Sequence, residues 1–174
     1  MLETRIRRAA PGDEEKASLV ASATFLDAFA GVLPGGDIVL HAKRQHAAEA
    51  YRKLLAAGDA AVWLAEVLPG EAPVGYAVLC RPDLPLDDLG ETDIELKRIY
   101  LLSRFRGHGL GRRLLHAVEA EALARHARRL LLGVYGENEP ALAFYRATGF
   151  EVVGERLFEV GEHRYRDKIL AKAL

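Results

Sequence analysis

The hydrophobic and polar positions in the first part of the chain predict one strand and two helices. Thr4–Arg7 alternates in the way that is typical of a short strand. A turn follows, and Asp13 is placed as the N-cap of a first helix that runs toward Phe29. A second helical stretch covers about His41 to Ala57, where Gly58 is placed to end it.

The central part of the chain predicts a hairpin, another strand and a third helix. Ala61–Val67 and Val74–Cys80 are apolar runs joined by a segment rich in Pro and Gly, which indicates an antiparallel hairpin. After a loop rich in Pro and Asp, Ile94–Leu102 is expected to form the next strand. A glycine-rich turn then leads into a helix whose apolar residues fall on one face, namely Leu110, Leu114, Leu115, Val118, Ala122 and Leu123.

The last part of the chain predicts a buried strand, a fourth helix and a closing pair of strands. Leu130–Tyr135 is the apolar strand. Pro140 suits the first turn of the helix that follows, and Gly149 fits its C-terminal exit. Two final runs, Glu151–Val160 and 164–172, are expected to pair in antiparallel fashion around a glycine.

The order of these elements, β-α-α-β-β-β-α-β-α-β-β, predicts a mixed α/β (α+β) fold. A central sheet of about seven strands would be flanked by four helices. The length of 174 residues fits a single domain over residues 1–174. The formal net charge of -1 argues against a protein built to coat nucleic acid or an acidic membrane, so neither partner is expected.

Cysteine usage and the N-terminal sequence bear on the compartment. The lone cysteine, Cys80, cannot form an internal disulfide, which favours a reducing compartment. The N-terminus lacks the continuous apolar core of a signal peptide or anchor, and no apolar run approaches the roughly 20 residues that span a bilayer. We therefore expect a cytoplasmic protein. The six histidines show no metal-ligand spacing, so no metal is predicted.

The most informative segment is Arg106–Arg113, which reads Arg-Gly-His-Gly-Leu-Gly-Arg-Arg between a predicted strand and a predicted helix. Glycines there adopt positive φ without a Cβ clash and let the backbone approach a ligand closely. The first N–H groups of the helix are free and lie at the positive end of its dipole. The segment predicts a pyrophosphate site, and a glycine-rich tight turn without a ligand is the alternative.

Two common phosphate motifs are excluded by the residues of this turn. A P-loop ends in Gly-Lys-Ser/Thr, and that ending is absent. A dinucleotide-binding fingerprint needs a third glycine three residues after the second, and counted from Gly107 and Gly109 that position is Arg112. The turn also lies after a hairpin rather than in an opening βαβ unit.

Arg106-Gly107-His108-Gly109-Leu110-Gly111 resembles the acetyl-CoA pyrophosphate motif of the GCN5-related N-acetyltransferase (GNAT) superfamily, Gln/Arg-x-x-Gly-x-Gly/Ala. The resemblance implies the GNAT fold, with acetyl-CoA as co-substrate bound by this segment and by Arg112. The preceding Leu96–Leu101 resembles the family's splayed fourth strand. The backbone of Ile99, Tyr100 and Leu101 would then pair with the pantetheine and the thioester carbonyl. Ser103 stands where many members have proline.

A second motif, Asn138–Phe150, resembles the family's Asn-x-x-Ala-x-x-x-Tyr-x-x-x-Gly-Phe signature. It implies that Asn138, Ala141 and Tyr145 contribute to the cofactor site. The alternatives are a loop or capping residue for Asn138 and a core aromatic for Tyr145. The two motifs cover residues 94–155, whereas the first 90 residues match the family only in element order.

The resemblance implies an N-acetyltransferase that moves an acetyl group from acetyl-CoA to a primary amine by direct attack in a ternary complex. Deprotonating an alkyl ammonium of pKa about 10.4 at neutral pH costs roughly 4 kcal/mol. A carboxylate acting through water could collect that proton. Glu95 is the candidate, and a solvated or salt-bridged strand residue is the alternative. The Leu101 N–H would polarise the thioester carbonyl, and Tyr145 would protonate the sulfur.

The acceptor is expected between the first two helices and the later strand loops. The segment from Phe25 to Asp37 offers aromatic surface and acids suited to a cationic amine. The end of the chain is similar to a bacterial branch that includes polyamine N-acetyltransferases, which favours a small or polyamine-like amine. An acetyltransferase for protein N-termini or lysines and a non-catalytic acyl-CoA-binding module are the alternatives. The sequence leaves the oligomeric state open, and a homodimer is possible.

Overall fold

One sheet of seven strands organises the computed structural model, which describes residues 3–174. The elements are β1 (Thr4–Arg8), α1 (Glu14–Phe29), α2 (Gly35–Gln45), α3 (Ala48–Ala56), β2 (Ala61–Val67), β3 (Ala72–Cys80), β4 (Ile94–Leu101), a 3-10 turn (Ser103–Phe105), α4 (Leu110–Ala124), β5 (Arg129–Tyr135), α5 (Glu139–Ala147), β6 (Glu151–Val160) and β7 (His163–Ala173). The strand order is β1-β2-β3-β4-β5-β7-β6.

All neighbouring strands are antiparallel except β4 and β5, which are parallel. The predicted mixed α/β fold and its seven-stranded sheet are therefore confirmed. The predicted single domain over residues 1–174 includes Met1 and Leu2, which lie outside the described residues. That domain assignment stays a prediction.

The second predicted helical stretch, His41 to Ala57, consists of two helices separated at His46 and Ala47. Ala47 has an extended backbone, with φ -63° and ψ 148°. His46 is buried, and its Nδ1 lies 3.1 Å from the Tyr51 hydroxyl. The Ser18 hydroxyl donates to the His46 carbonyl at 2.6 Å. These contacts of His46 with α1 and α3 occur at the break. The helical periodicity alone did not predict that break.

Asp13 directly precedes α1, but its carboxylate does not cap the helix. It binds the Arg7 guanidinium through two hydrogen bonds of 2.7 Å. Arg7, Arg5 and Lys16 also donate to Glu66, whose side chain is fully buried on β2. Burial alone would raise the pKa of Glu66, but these hydrogen bonds lower it to about 2. The cluster ties β1 and α1 to β2.

Helices cover both faces of the sheet over separate cores. α1 and α3 pack on one face, here called the α1 face, with a core that includes Ala17, Val20, Tyr51, Leu64, Tyr76 and Val78. α4 and α5 pack on the other, the α4 face, with a core that includes Leu96, Leu114, Val118, Leu132, Leu142 and Tyr145. Side chains alternate along a strand, so Ile99 and Leu101 of β4 lie on the α4 face and Tyr100 lies on the α1 face.

Candidate active site

The sheet opens between its two parallel strands. β4 pairs with β5 only at Ile94 with Leu130 and at Glu95 with Leu131, although β4 stays paired with β3 as far as Leu101. Beyond Glu95, the edge of β4 that faces β5 has no strand partner among residues 3–174. We call this opening the β4–β5 gap. Its walls carry peptide groups that a ligand can bind.

The peptide of Leu101 belongs to the free edge of β4. The N–H of the next residue, Leu102, donates to the carbonyl of Val74 on the β3 side at 3.0 Å. Successive N–H groups of a strand point to opposite sides, so the Leu101 N–H faces the β4–β5 gap. This is the orientation that the predicted role of Leu101 requires.

The glycine-rich turn lies at the head of α4 with its N–H groups free. Gly107 and Gly109 have φ of +80° and +78°, and no atom lies within 4 Å of a Cβ built on either residue. Within residues 3–174, the N–H groups from Gly107 to Arg112 have no hydrogen-bond acceptor. Six consecutive free donors at the N-terminus of a 15-residue helix form a site suited to an anion.

Asp27 of α1 fixes the 3-10 turn that leads into this segment. Its carboxylate accepts hydrogen bonds from the N–H and the hydroxyl of Ser103, both at 2.9 Å, and from Arg106 at 3.4 Å. Arg106 also donates from Nε to the Leu101 carbonyl at 3.2 Å. Because proline has no N–H, Ser103 makes a contact that the residue common in the family could not make.

Asp27 thus has two partner residues at this turn, and the expectation that its segment lines the acceptor site for a cationic amine stays a prediction. Arg106 and His108, which were expected to bind the cofactor, also have local partners. The Arg106 guanidinium remains half exposed. His108 is exposed, with its Nδ1 2.8 Å from the Arg106 carbonyl. Both side chains are thus at the turn, and their part in ligand binding stays a prediction.

Gly111 of α4 lies next to β4 and α5. A Cβ built on Gly111 lies 3.5 Å from Leu101 Cδ1 and 4.0 Å from Phe144 Cζ. The two family-like motifs therefore meet at this residue. An open groove of about 400 Å³ continues from Arg112 between α4 and α5, and its basic lining residues are Arg112, His116 and Lys172.

Asn138 and Tyr145 occupy the first and last turns of α5. Asn138 is its N-cap, because Oδ1 accepts a hydrogen bond from the Ala141 N–H at 3.2 Å. This is the capping role that the sequence left open for Asn138. Tyr145 is buried in the α4-face core, with its ring 5.6 Å from that of Phe150. Burial, with a smaller contribution from Tyr100, raises the pKa of Tyr145 well above its usual value.

Glu95 is almost completely buried at the closed end of the β4–β5 gap. Its carboxylate accepts a hydrogen bond from the Asp83 N–H at 2.8 Å, and its residue is 1% exposed. No cation lies within 4 Å of it in the described part of the chain. The solvated and the salt-bridged alternatives are therefore both wrong for Glu95. Its role as a general base stays a prediction.

Arg98, Tyr51 and His46 form a group on the α1 face that the sequence analysis did not select. Arg98 of β4 donates to the Tyr51 hydroxyl at 3.5 Å, and that hydroxyl is 3.1 Å from His46 Nδ1. Burial first, and Arg98 second, lower the pKa of His46 to about 3. The sequence could have indicated Arg98, because it stands two residues before Tyr100 in the strand that resembles the family's fourth strand, and residues two apart share a face.

Asp167 and Arg156 form a second group that sequence reasoning missed. Asp167 of β7 is 5% exposed and pairs with Arg156 Nε at 3.2 Å. Burial raises the pKa of Asp167, although Arg156 opposes the shift. The guanidinium lies over β5 at Gly133, where a Cβ would come within 2.5 Å of Arg156 Nη2. The predicted closing pair of strands already placed these two residues on neighbouring strands, and the register sets them directly opposite each other. The burial of Asp167 is seen only in the structure.

Residues 3–174 contain neither an arranged metal-ligand group nor a helix that could span a membrane. No group of three or more His, Cys, Asp or Glu side chains there is arranged to bind a metal ion. The predicted absence of a metal stays a prediction. Among the same residues, no helix combines the length and the apolar composition needed to cross a bilayer.

The fold and the glycine turn can be compared with known proteins. The model of the Acetyltransferase (GNAT) family matches residues 36–150, which is more than half of the chain. The chain therefore belongs to the GNAT acetyltransferase family, as its two motifs predicted.

Solved structures and curated relatives agree with this assignment. The PaiA N-acetyltransferase of Thermoplasma acidophilum, in complex with coenzyme A, superposes with a TM-score of 0.78 and 19% identity over 99% of both chains, which confirms the GNAT fold. An uncharacterised N-acetyltransferase of Mycobacterium tuberculosis is 39% identical over 101 residues, 58% of this chain and 60% of the relative. One from Lactobacillus delbrueckii is 34% identical over 100 residues, 58% of each. The matches thus span about 60% of the curated relatives' length.

Proposed function

We propose that this protein is an N-acetyltransferase that transfers an acetyl group from acetyl-CoA to the primary amine of a small molecule by direct attack in a ternary complex. The observation that carries the proposal is the row of free N–H groups from Gly107 to Arg112 beside the β4–β5 gap. Family membership supports the same activity.

The residues of the site suit coenzyme A. The free N–H groups of the turn would bind its pyrophosphate, and the free edge of Ile99, Tyr100 and Leu101 would pair with its pantetheine amides. The groove along Arg112 runs toward the C-terminal end of α5 at Ala147 and Thr148. Asn138 and Ala141 lie at the other end of α5. When bound, acetyl-CoA supplies a thioester whose carbonyl carbon accepts the amine.

Three groups of the chain would then perform the proton and charge chemistry. The Leu101 N–H faces the gap and would stabilise negative charge on a carbonyl oxygen. Tyr145 is protonated at neutral pH, since an ordinary tyrosine has a pKa near 10 and burial raises the pKa of Tyr145 further, so it would donate that proton to a leaving thiolate. Glu95 would collect the proton of the amine through water, since it is a buried carboxylate without a paired cation.

The contacts of two acids in the expected acceptor region bear on whether the acceptor is a polyamine. A polyamine needs acids with free oxygen atoms. Asp27 binds Ser103 and Arg106, and Asp37 lies 2.6 Å from His163 Nδ1. Each acid thus already has a hydrogen-bond partner from the chain, and Arg106 partly neutralises Asp27, so we favour a small amine that is not a polycation.

The test is release of coenzyme A thiol from acetyl-CoA in the presence of a panel of amines, peptides and polyamines. Wild type should acetylate at least one small amine, and Tyr145→Phe should reduce that turnover by about 100-fold or more, with unchanged acetyl-CoA affinity by calorimetry. Tyr135→Phe is the matched control, because the Tyr135 hydroxyl binds Glu137 at an exposed position.

The other outcomes distinguish the alternatives. Turnover only with peptides would identify a protein or peptide acetyltransferase. Acetyl-CoA binding without turnover on any acceptor would leave a binding module. Absence of acetyl-CoA binding would refute the proposal, and equal turnover of wild type and Tyr145→Phe would remove Tyr145 from the chemistry.

A further inference from the structure

Arg98 carries a positive charge on the α1 face with no acid to neutralise it. Among residues 3–174, no carboxylate oxygen lies within 4 Å of its guanidinium. Its hydrogen bonds are long, 3.3 Å to Gln45 Oε1 and 3.5 Å to the Tyr51 hydroxyl, and its Cζ is 5.9 Å from the centre of the Tyr51 ring. A guanidinium normally binds a carboxylate through two short hydrogen bonds. That capacity of Arg98 is unused.

The acids around this face are already occupied by other partners. Asp27 receives Ser103 and Arg106, and Asp37 receives His163. Asp167 is buried. It is paired with Arg156, whereas Arg98 has no carboxylate partner among the described residues.

The imidazoles of His41 and His46 lie next to Arg98 and supply no negative charge that would neutralise its guanidinium. Burial first, and then Arg98, lower the pKa of His41 to about 4, and His46 is shifted in the same direction. Both rings are thus neutral at pH 7. His46 Nε2 is buried without a hydrogen-bond partner among the described residues. Buried polar atoms of this kind are usually satisfied by a water or a ligand.

The wall beside Arg98 is aromatic. The Phe25 ring stacks on His41 with centroids 4.2 Å apart, and Phe29 lies 4.6 Å from Phe25. Phe158 of β6 meets His41 from the other side at 6.0 Å. These rings pack together with Leu33, Ile38 and Val160. Such a wall favours an apolar group of a ligand.

We propose that the acceptor amine carries a carboxylate, and that Arg98 binds this carboxylate. The acceptor class is then an amino acid with an apolar side chain, which would contact the half-buried Phe29, His41 and Phe158 of this wall, while Phe25 is buried within it. Arg98 lies two residues from Tyr100 on the same face of β4, so a carboxylate bound there places an amine a few bonds away beside the gap. This inference rests on the proposed acetyltransferase function.

The experiment compares acceptors that differ only in the carboxylate. Phenylalanine is paired with 2-phenylethylamine and leucine with 3-methylbutylamine, and spermidine represents the polyamines. Wild type should prefer the amino acid of each pair in kcat/KM. Arg98→Gln should lower kcat/KM for the amino acids by about 10- to 100-fold through a higher KM. It should leave the decarboxylated amines unchanged. For each acceptor, the kcat/KM of the variant is divided by that of wild type. This ratio does not depend on the different basicity of the amino acid and its decarboxylated amine.

Two controls separate a binding role from a structural one. Lys97→Gln removes a positive charge from the neighbouring, exposed position of β4 and should change neither ratio. Arg98→Lys keeps the charge without the planar pair of donors and should recover part of the preference. Equal losses with both members of a pair, or a wild-type preference for the decarboxylated amines or spermidine, would overturn the proposal while the acetyltransferase function stands.

A direct binding measurement covers the case in which no amine of the panel is acetylated. N-acetylphenylalanine and N-acetyl-2-phenylethylamine are then titrated into the protein with coenzyme A. Binding of the first alone, weakened in Arg98→Gln, supports the carboxylate site. No binding of the first, or equal binding by wild type and variant, overturns it.

Discussion

At the scale of single residues, burial determines which side chains can do chemistry. Burial raises the pKa of Tyr145, a phenol that is protonated at neutral pH, and Glu95 is buried with no cation within salt-bridge distance in the described chain. Asp27, which the sequence suggested for the acceptor site, instead binds Ser103. Residue type and position along the chain selected the first two, and their roles in the site stay predictions. The same information could not predict the partners of Asp27, which are 76 and 79 residues away.

Glu95→Gln tests the proposed general base. Glutamine keeps nearly the same shape and can still accept the Asp83 N–H, but it cannot take a proton. We expect turnover with a primary amine at neutral pH to fall by about 100-fold or more. Activity should recover at higher pH, where the amine loses its proton to solvent. The measurement is kcat against pH, with acetyl-CoA affinity as the check on folding.

Asp167→Asn is the matched comparison for Glu95→Gln, because Asp167 is another buried carboxylate near the β4–β5 gap. A larger loss of turnover in Asp167→Asn, with the pH profile of Glu95→Gln the same as wild type, would transfer the role of base to Asp167.

At the scale of elements, the glycine turn and the gap depend on different kinds of information. The turn is local, because positive φ at Gly107 and Gly109 follows from residue type. The gap is not local, because it requires β4 and β5 to pair at two positions and then separate. The break between α2 and α3 is likewise tertiary, since His46 contacts Tyr51 and Ser18.

Gly109→Ala tests the turn as an anion site. Alanine meets no atom within 4 Å there, but a φ of +78° costs an L-residue about 1–2 kcal/mol. If the turn relaxes to reduce this cost, its N–H groups lose their common direction. We expect acetyl-CoA to bind about tenfold more weakly in calorimetry.

Gly12→Ala provides the control for this strain. Gly12 has φ +105° and equally open surroundings, but it lies in the turn before α1. It should lose a similar amount of thermal stability with unchanged acetyl-CoA affinity. Equal effects of the two variants on that affinity would argue against the phosphate role.

At the scale of the whole molecule, His41 and His46 make the free energy of unfolding depend on pH. In the unfolded chain, His41 and His46 titrate near pH 6.5. In the fold, burial lowers their pKa values to about 4 and about 3. Below pH 6.5 the unfolded state therefore binds more protons, and the free energy of unfolding falls as pH falls, by up to about 1.4 kcal/mol per pH unit for each histidine.

Urea unfolding between pH 7 and pH 5 measures this loss before the low-pKa carboxylates Glu66 and Asp13 titrate. His46→Asn should have a shallower slope of unfolding free energy against pH than wild type. The exposed His126, replaced by Asn, should leave the slope unchanged. A slope that is the same in all three proteins would show that these buried histidines do not control the pH dependence.

The amino-acid sequence by itself determined the mixed α/β fold, the hairpins, the glycine turn, the α5 motif and membership of the GNAT family. These features depend on residue type and spacing within a few turns of chain, which fix backbone conformation and the direction of side chains. Only the tertiary structure decided which charges remain free beside the β4–β5 gap. Arg98 is left without an acid, and Asp27, Asp37 and Asp167 are each bound, because strand register and helix packing bring together partners that are far apart in the chain.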